Sequence, residues 1–222
     1  MVITMSIEMM VSGFLFWFII ITNILSERFG YKTMGELGSD AKLKVINADP
    51  KKFKISVMLI LIEHGSIIAL ALMLFIAFSP FNLILGIVWT ISRIGEDVIQ
   101  VYNKKNYWGL LDLARQYPGT SGAEKDALID SGRSILESKE STFAFAQILF
   151  SIGTLTYSIL FVTYGVVPLI IIGWFGLVAS ILYGLGNVIT HVKPNFKPLW
   201  NLGGLLILLF EIVLGGWLLF FS

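Results

Sequence analysis

The apolar residues of this chain come in long blocks rather than as alternating or one-sided patterns. A helix needs about 20 mostly apolar residues to cross ~30 Å of hydrocarbon, and six stretches reach that length, at about 3–25, 53–78, 81–102, 142–163, 167–190 and 199–221. The pattern predicts an all-α fold: a six-transmembrane-helix bundle forming a single integral membrane domain over residues 1–222. Local punctuation agrees with it. Asp49-Pro50 reads as an N-cap followed by proline at the first helical position, opening the second stretch. Ser79-Pro80 reads the same way for the third, after a tight hairpin, and Pro168 and Pro198 sit at the starts of the fifth and sixth. The first stretch has no basic residue before Arg28 and no small-residue cleavage signature after its apolar core, so it reads as a retained span rather than a cleaved leader.

Polar residues gather in two longer connections. In one, Tyr107 to Arg115 reads as an amphipathic helix lying at the membrane surface, broken by Pro118-Gly119-Thr120-Ser121-Gly122. Ser121 with Glu124 then suggests a capping box for a second short helix through Glu137. Both are expected as short cytoplasmic helices that cover one end of the bundle.

Composition sharpens the class. The chain is 56% hydrophobic and only 14% charged, against about a quarter charged in soluble domains. The 16 Lys and Arg nearly balance the 15 Asp and Glu, and acids and bases mix in the connections, so no nucleic-acid partner is expected. Without cysteine there is no disulfide, thiolate metal site or cysteine nucleophile. The basic residues Arg28, Lys32, Lys42, Lys44, Lys51, Lys52, Lys54, Lys104, Lys105, Arg115, Lys125, Arg133, Lys139, Lys193 and Lys197 all fall on one side, and Arg93 alone lies within a span. The positive side faces the cytoplasm. This predicts a multi-pass protein of the cytoplasmic (inner) membrane with both termini outside the cytoplasm.

Ionisable residues at depth are expensive and need partners. At 1.5 Å per residue, Glu63 and His64 lie about 15 Å into the second span, and Arg93 and Glu211 about 18 Å into the third and sixth, all near the midplane. Trp89, Arg93, Glu96, Asp97 and Gln100 share one face of the third span. Gln147 opens a stripe with Ser151, Thr154 and Ser158, and Glu8, Ser12 and Asn23 share a face of the first span. Gly173, Gly176, Ser180, Gly184, Asn187 and His191 form a small-residue stripe suited to close helix packing. The expected centre is an Arg93–carboxylate pair with Glu63 or Glu211 as partner. The carboxylate left over is protonated, paired with His64 as imidazolium, or bound to a ligand cation. The ligand-binding candidates are Arg93, Glu63, Glu211, Glu96, His64, Asp97 and Gln147. Glu63-His64 and Glu96-Asp97 have metal-ligand chemistry, but neighbours on a helix point about 100° apart. His64 and His191 sit at different depths for axial haem ligation. Neither a metal nor another cofactor is expected.

Three segments resemble the DUF4386 family of small prokaryotic membrane proteins: Asp49-Pro50-Lys51-Lys52-Phe53, Ile91-Ser92-Arg93-Ile94-Gly95-Glu96, and Phe210-Glu211-Ile212-Val213-Leu214-Gly215-Gly216-Trp217-Leu218-Leu219. Tyr164-Gly165-Val166-Val167-Pro168-Leu169 extends the resemblance over nearly the whole chain. The resemblance implies a six-span bundle from a bacterium or archaeon, with Arg93, Glu96 and Glu211 as the matched polar positions. It carries no activity, because the family is one of unknown function.

Three readings of function follow. The first is binding or transport of a small or lipidic ligand at a polar pocket near the midplane. Six spans divide into three plus three of opposite orientation, as in inverted-repeat carriers, although no similarity between the halves is evident. The second is an accessory or structural membrane subunit whose buried ion pairs hold the bundle together. The third is an intramembrane lipid-modifying enzyme with Glu63, Glu96 or Glu211 as general base, though no nucleophile-elbow or metalloprotease signature is present. The expected partners are membrane lipids, with a homo-oligomer or larger membrane complex left open.

Overall fold

The computed structural model describes residues 6–30, 38–165, 167–193 and 195–221. Its order is α1 (Ile7–Arg28), α2 (Ser39–Ala48), α3 (Pro50–Phe78), α4 (Leu83–Gln116), a 3-10 turn (Tyr117–Gly119), α5 (Gly122–Tyr164), α6 (Val167–Val192) and α7 (Pro198–Phe220). No strand occurs among the described residues. Of the expected features, the start of the first span, Lys32 and Val166 lie outside these residues.

Among the described residues five helices are long and apolar enough to cross a membrane: α1, α3, α5, α6 from Pro168, and α7. Their outward residues are large and apolar, as at Ile7, Phe14, Ile76, Ile171, Trp174, Leu205 and Phe220. Such faces suit lipid, in which only structures that satisfy their own backbone hydrogen bonds can span. The third expected span lies in α4, which carries Arg93, Glu96 and Asp97 close together and so falls outside the apolar class.

Two helix starts follow the sequence. Asp49 Oδ1 accepts from the Lys52 N–H at 2.9 Å, and Pro50 opens α3 where its missing N–H has no cost. Pro198 opens α7 likewise. Ser79-Pro80 corrects differently: both residues lie in the turn, α4 begins at Leu83, and its cap is Asn82, whose Oδ1 accepts from the Leu85 N–H at 3.1 Å. The proline ends one helix here rather than opening the next.

The expected short amphipathic helices are not separate elements. Residues 107–115 are the final turns of the 34-residue α4, and residues 122–137 are the first turns of the 43-residue α5. No proline or glycine pair interrupts the chain between these segments and the apolar blocks they join, so the helical hydrogen bonds continue. At 1.5 Å per residue α5 is about 65 Å long, twice the hydrocarbon thickness. The break at Pro118-Gly119 does hold, as the 3-10 turn, with Gly122 at φ +58° where α5 begins.

The residues divide into two compact units. The first comprises residues 1–19, 66–97 and 144–222. Its core joins Phe78, Tyr157 and Phe161 edge to face, with Tyr157 and Phe161 centroids 4.9 Å apart at 87°, Trp89 lies tilted against Tyr157, and the Tyr157 hydroxyl donates to the Leu74 carbonyl. Close helix approach in this unit rests on glycine: a Cβ at Gly13 of α1 would stand 2.6 Å from the Leu219 nitrogen of α7. The second unit comprises residues 20–65 and 98–143. Here Leu43 and Ile46 of α2 pack with Phe53, Val57, Tyr107, Leu110, Leu111 and Leu136. The Tyr117 hydroxyl donates to the Asp40 carboxylate, which also accepts from Lys44 Nζ at 2.8 Å.

Candidate functional site

The polar face of α4 builds the centre of the first unit. Arg93 and Glu96 are three residues apart, one turn of the same helix, and Arg93 Nη1 lies 2.6 Å from Glu96 Oε2. Both side chains are buried, 4% and 5% exposed. The expected partner, Glu63 or Glu211, is therefore corrected to Glu96. The reason is local: a carboxylate one turn along the same helix is reached without any rearrangement between helices.

Aromatic rings enclose the guanidinium. Its carbon stands 4.5 Å from the centroid of Phe150 and 5.6 Å from that of Trp89. Trp89 is fixed by its Nε1–H, which donates to the Ala71 carbonyl at 3.3 Å. Gly153 of α5 makes room for the arginine stem, since a Cβ there would lie 3.2 Å from Arg93 Cδ. A cation desolvated between aromatic faces gains from their quadrupoles. Even so, Arg93 Nε has no hydrogen-bond partner among the described residues.

A second polar layer surrounds this pair. Glu211 of α7, half-buried, lies within electrostatic reach of Arg93. Tyr183 of α6 lies within reach of both Glu96 and Glu211. Its hydroxyl donates to Gln147 Oε1 of α5 at 2.8 Å, and Asn187 Nδ2 donates to its backbone carbonyl, also at 2.8 Å. One guanidinium thus faces two carboxylates, with hydroxyl and amide groups beside them. Such a set can hold a proton, a cation or a hydrogen-bonding headgroup. A narrow apolar crevice with no room for a water molecule lies elsewhere in this unit, lined by Phe78, Phe81, Leu160, Tyr164, Gly165 and Leu169, and has no charged group.

The remaining candidates are placed as follows. Asp97 is buried in the first unit, at 0% exposure. Glu63 and His64 belong to the second unit. Asn23 Nδ2 donates to both Glu63 oxygens, at 3.1 and 3.3 Å, and His64 is buried. The structure brings Arg93, Glu96, Glu211 and Gln147 together in the first unit.

Two members of these networks escape the sequence reading. Tyr183 falls on the face of Ser180 and Asn187, three residues after one and four before the other, so the small-residue stripe pointed to it. Lys104 looks like a loop cation but is buried on α4, donating to Gln100 Oε1 at 3.3 Å and standing 5.5 Å from the Tyr107 ring centroid. Its signal was the continuation of the α4 stripe at Arg93, Asp97, Gln100 and Lys104.

Comparison with known proteins agrees with the resemblance carried by Arg93, Glu96 and Glu211. The family model described as "Domain of unknown function (DUF4386)" matches residues 11–221, and the chain belongs to that family. No curated protein and no solved structure matches it.

Proposed function

We propose that this DUF4386 member is one integral membrane domain that crosses the bilayer six times and binds or carries a small or lipidic ligand at the polar cluster around Arg93. The sixth crossing is α4. Its exposed stripe is Ile84, Ile87, Val88, Ile91, Val98 and Tyr102, whereas Trp89, Arg93, Glu96, Asp97 and Gln100 are buried. A helix that is greasy outside and charged inside suits lipid and not water. With the basic connections in the cytoplasm, both termini lie outside it and the membrane is the inner one.

The observation that carries the binding reading is the charge imbalance in the first unit. Glu96 answers Arg93 at 2.6 Å, and Glu211 is a second carboxylate in the same field. Intramembrane charge beyond what packing uses is by default a functional feature. The test is extraction of the protein with its native lipids, followed by mass spectrometry of the small molecules retained. A molecule held by the wild type and lost from Glu211→Gln, at unchanged melting temperature, supports the reading. Identical retained molecules in both would refute it.

A second reading, an accessory subunit with a structural ion pair, draws on the enclosure of Arg93 by Glu96, Trp89 and Phe150. It expects that swapping the charges, Arg93→Glu with Glu96→Arg, leaves cellular function intact.

A further inference from the structure

The cations of the second unit are not answered evenly. On α2, α4 and α5 three of them have acidic partners one turn away: Lys44 Nζ with Asp40 at 2.8 Å, Arg115 with Asp112 at 3.3 Å, and Arg133 with Asp130 at 3.2 Å. Lys125 stands 4.8 Å from the Tyr117 ring centroid. Four other cations, Arg28 at the end of α1 and Lys51, Lys52 and Lys54 at the start of α3, are exposed and form no ion pair with any described residue. Asp49, the nearest acid in sequence to the three lysines, is committed as the α3 cap through the Lys52 N–H.

These four cations lie at one end of two packed antiparallel helices. Ser56 Oγ of α3 donates to the Ser26 carbonyl of α1 at 3.1 Å, and Asn23 reaches Glu63 deeper along the same pair. Beyond the Ser26–Ser56 contact, α1 runs out to Arg28 and α3 runs back to Lys54, Lys52 and Lys51, all within about 3–8 Å of axial rise. On the other side of that contact the exposed residues turn apolar: Ile24 and Leu25 on α1, Met58 on α3, with Ile55 level with the contact. Cations that form no ion pair among the described residues thus stand directly above exposed aliphatic surface. That order matches the polarity of a phospholipid, phosphate above acyl chain.

We propose that the α1–α3 junction is a binding site for a diacyl phospholipid with a net negative headgroup. The phosphate lies against Arg28, Lys51, Lys52 and Lys54, and the chains lie along Ile24, Leu25, Ile55 and Met58. This inference needs only that α1 and α3 are embedded in lipid, and is independent of the role given to Arg93.

The test uses the full chain in mixed micelles holding equal amounts of dioleoyl phosphatidylglycerol and dioleoyl phosphatidylcholine, with retained lipids counted by native mass spectrometry. The wild type retains phosphatidylglycerol preferentially. The triple variant Lys51→Gln/Lys52→Gln/Lys54→Gln loses that preference by about tenfold or more. The triple Arg variant keeps it, as does Lys44→Gln/Arg133→Gln, which removes paired cations elsewhere. All the substituted residues are exposed, so equal melting temperatures confirm that the fold is kept. Inorganic phosphate does not displace the lipid. Equal retention of both lipids by the wild type overturns the proposal. So does an unchanged preference in the triple Gln variant, an equal loss in the paired-cation control, or displacement by inorganic phosphate.

Discussion

Removing Arg93 alone should damage the protein far more than removing Arg93 and Glu96 together. The two side chains are 4% and 5% exposed and 2.6 Å apart, so neither is hydrated as an exposed ion would be. Arg93→Met keeps most of the stem volume beside Gly153 but leaves the Glu96 carboxylate buried without its cation. Breaking a buried pair in this way costs about 3–5 kcal/mol, roughly 6–20 °C in melting temperature for a chain of this size. In Arg93→Met/Glu96→Leu both charges go, and the loss of Coulomb attraction is offset by the desolvation no longer incurred. The double variant should therefore melt within a few degrees of the wild type. Any remaining deficit belongs to Glu211, which loses the field of Arg93, and a further Glu211→Gln should recover it. The assay is thermal unfolding of detergent-solubilised protein, followed by tryptophan fluorescence for the full mutant cycle. Additive effects would refute the reasoning, because they would mean that Arg93 and Glu96 do not stabilise one another.

The glycine contact between α1 and α7 gives a sharp contrast. Gly13→Val should strongly impair folding, since its first side-chain atom would lie 2.6 Å from one backbone atom of α7 and 2.7 Å from another. Gly65→Ala in α3, where nothing lies within 4 Å, should be neutral or raise the melting temperature by the helix preference of alanine, about 1 kcal/mol; equal behaviour of the two variants on the same melting assay would count against the packing. The α2 anchor should depend on pH. Hydrogen bonds from Lys44 and then Tyr117 hold the Asp40 carboxyl below the usual aspartate range. Its contribution is therefore full above that range and is lost as pH falls through the lowered value. Hydrogen exchange of Ser39–Ala48 should accelerate on acidification below the ordinary aspartate range, and Asp40→Asn should abolish that dependence; an unchanged profile would contradict it.

How much was legible in the chain differs from feature to feature. The five apolar spans were plain because lipid offers the backbone no hydrogen bonds, so a long greasy block has few options besides a helix. Asp49-Pro50 and Pro198 marked helix starts because capping and a missing N–H are local properties. Ser79-Pro80 misled because a proline that ends one helix resembles a proline that opens the next. The connection after Arg28 hid α2, whose buried Leu43 and Ile46 form a packing face against Phe53 and Val57 of α3 and against α4 and α5 residues more than sixty positions away. The lengths of α4 and α5 were equally hidden, because the turn from apolar to polar residues marks the edge of the lipid and not the end of the helix.

At the site, the polar face of α4 could be read from spacing alone, since a helix repeats every 3.6 residues whatever surrounds it. Sequence alone therefore determined that this chain is a set of helices long and apolar enough to cross a membrane, and which face of α4 carries its polar residues. Only the tertiary structure decided that Arg93 is answered by Glu96, that Phe150 and Trp89 enclose it, and that Tyr183 reaches Gln147 from 36 positions away. Periodicity assigns a side chain to a face of its own helix, while its partner depends on which neighbouring helix that face meets and at what register.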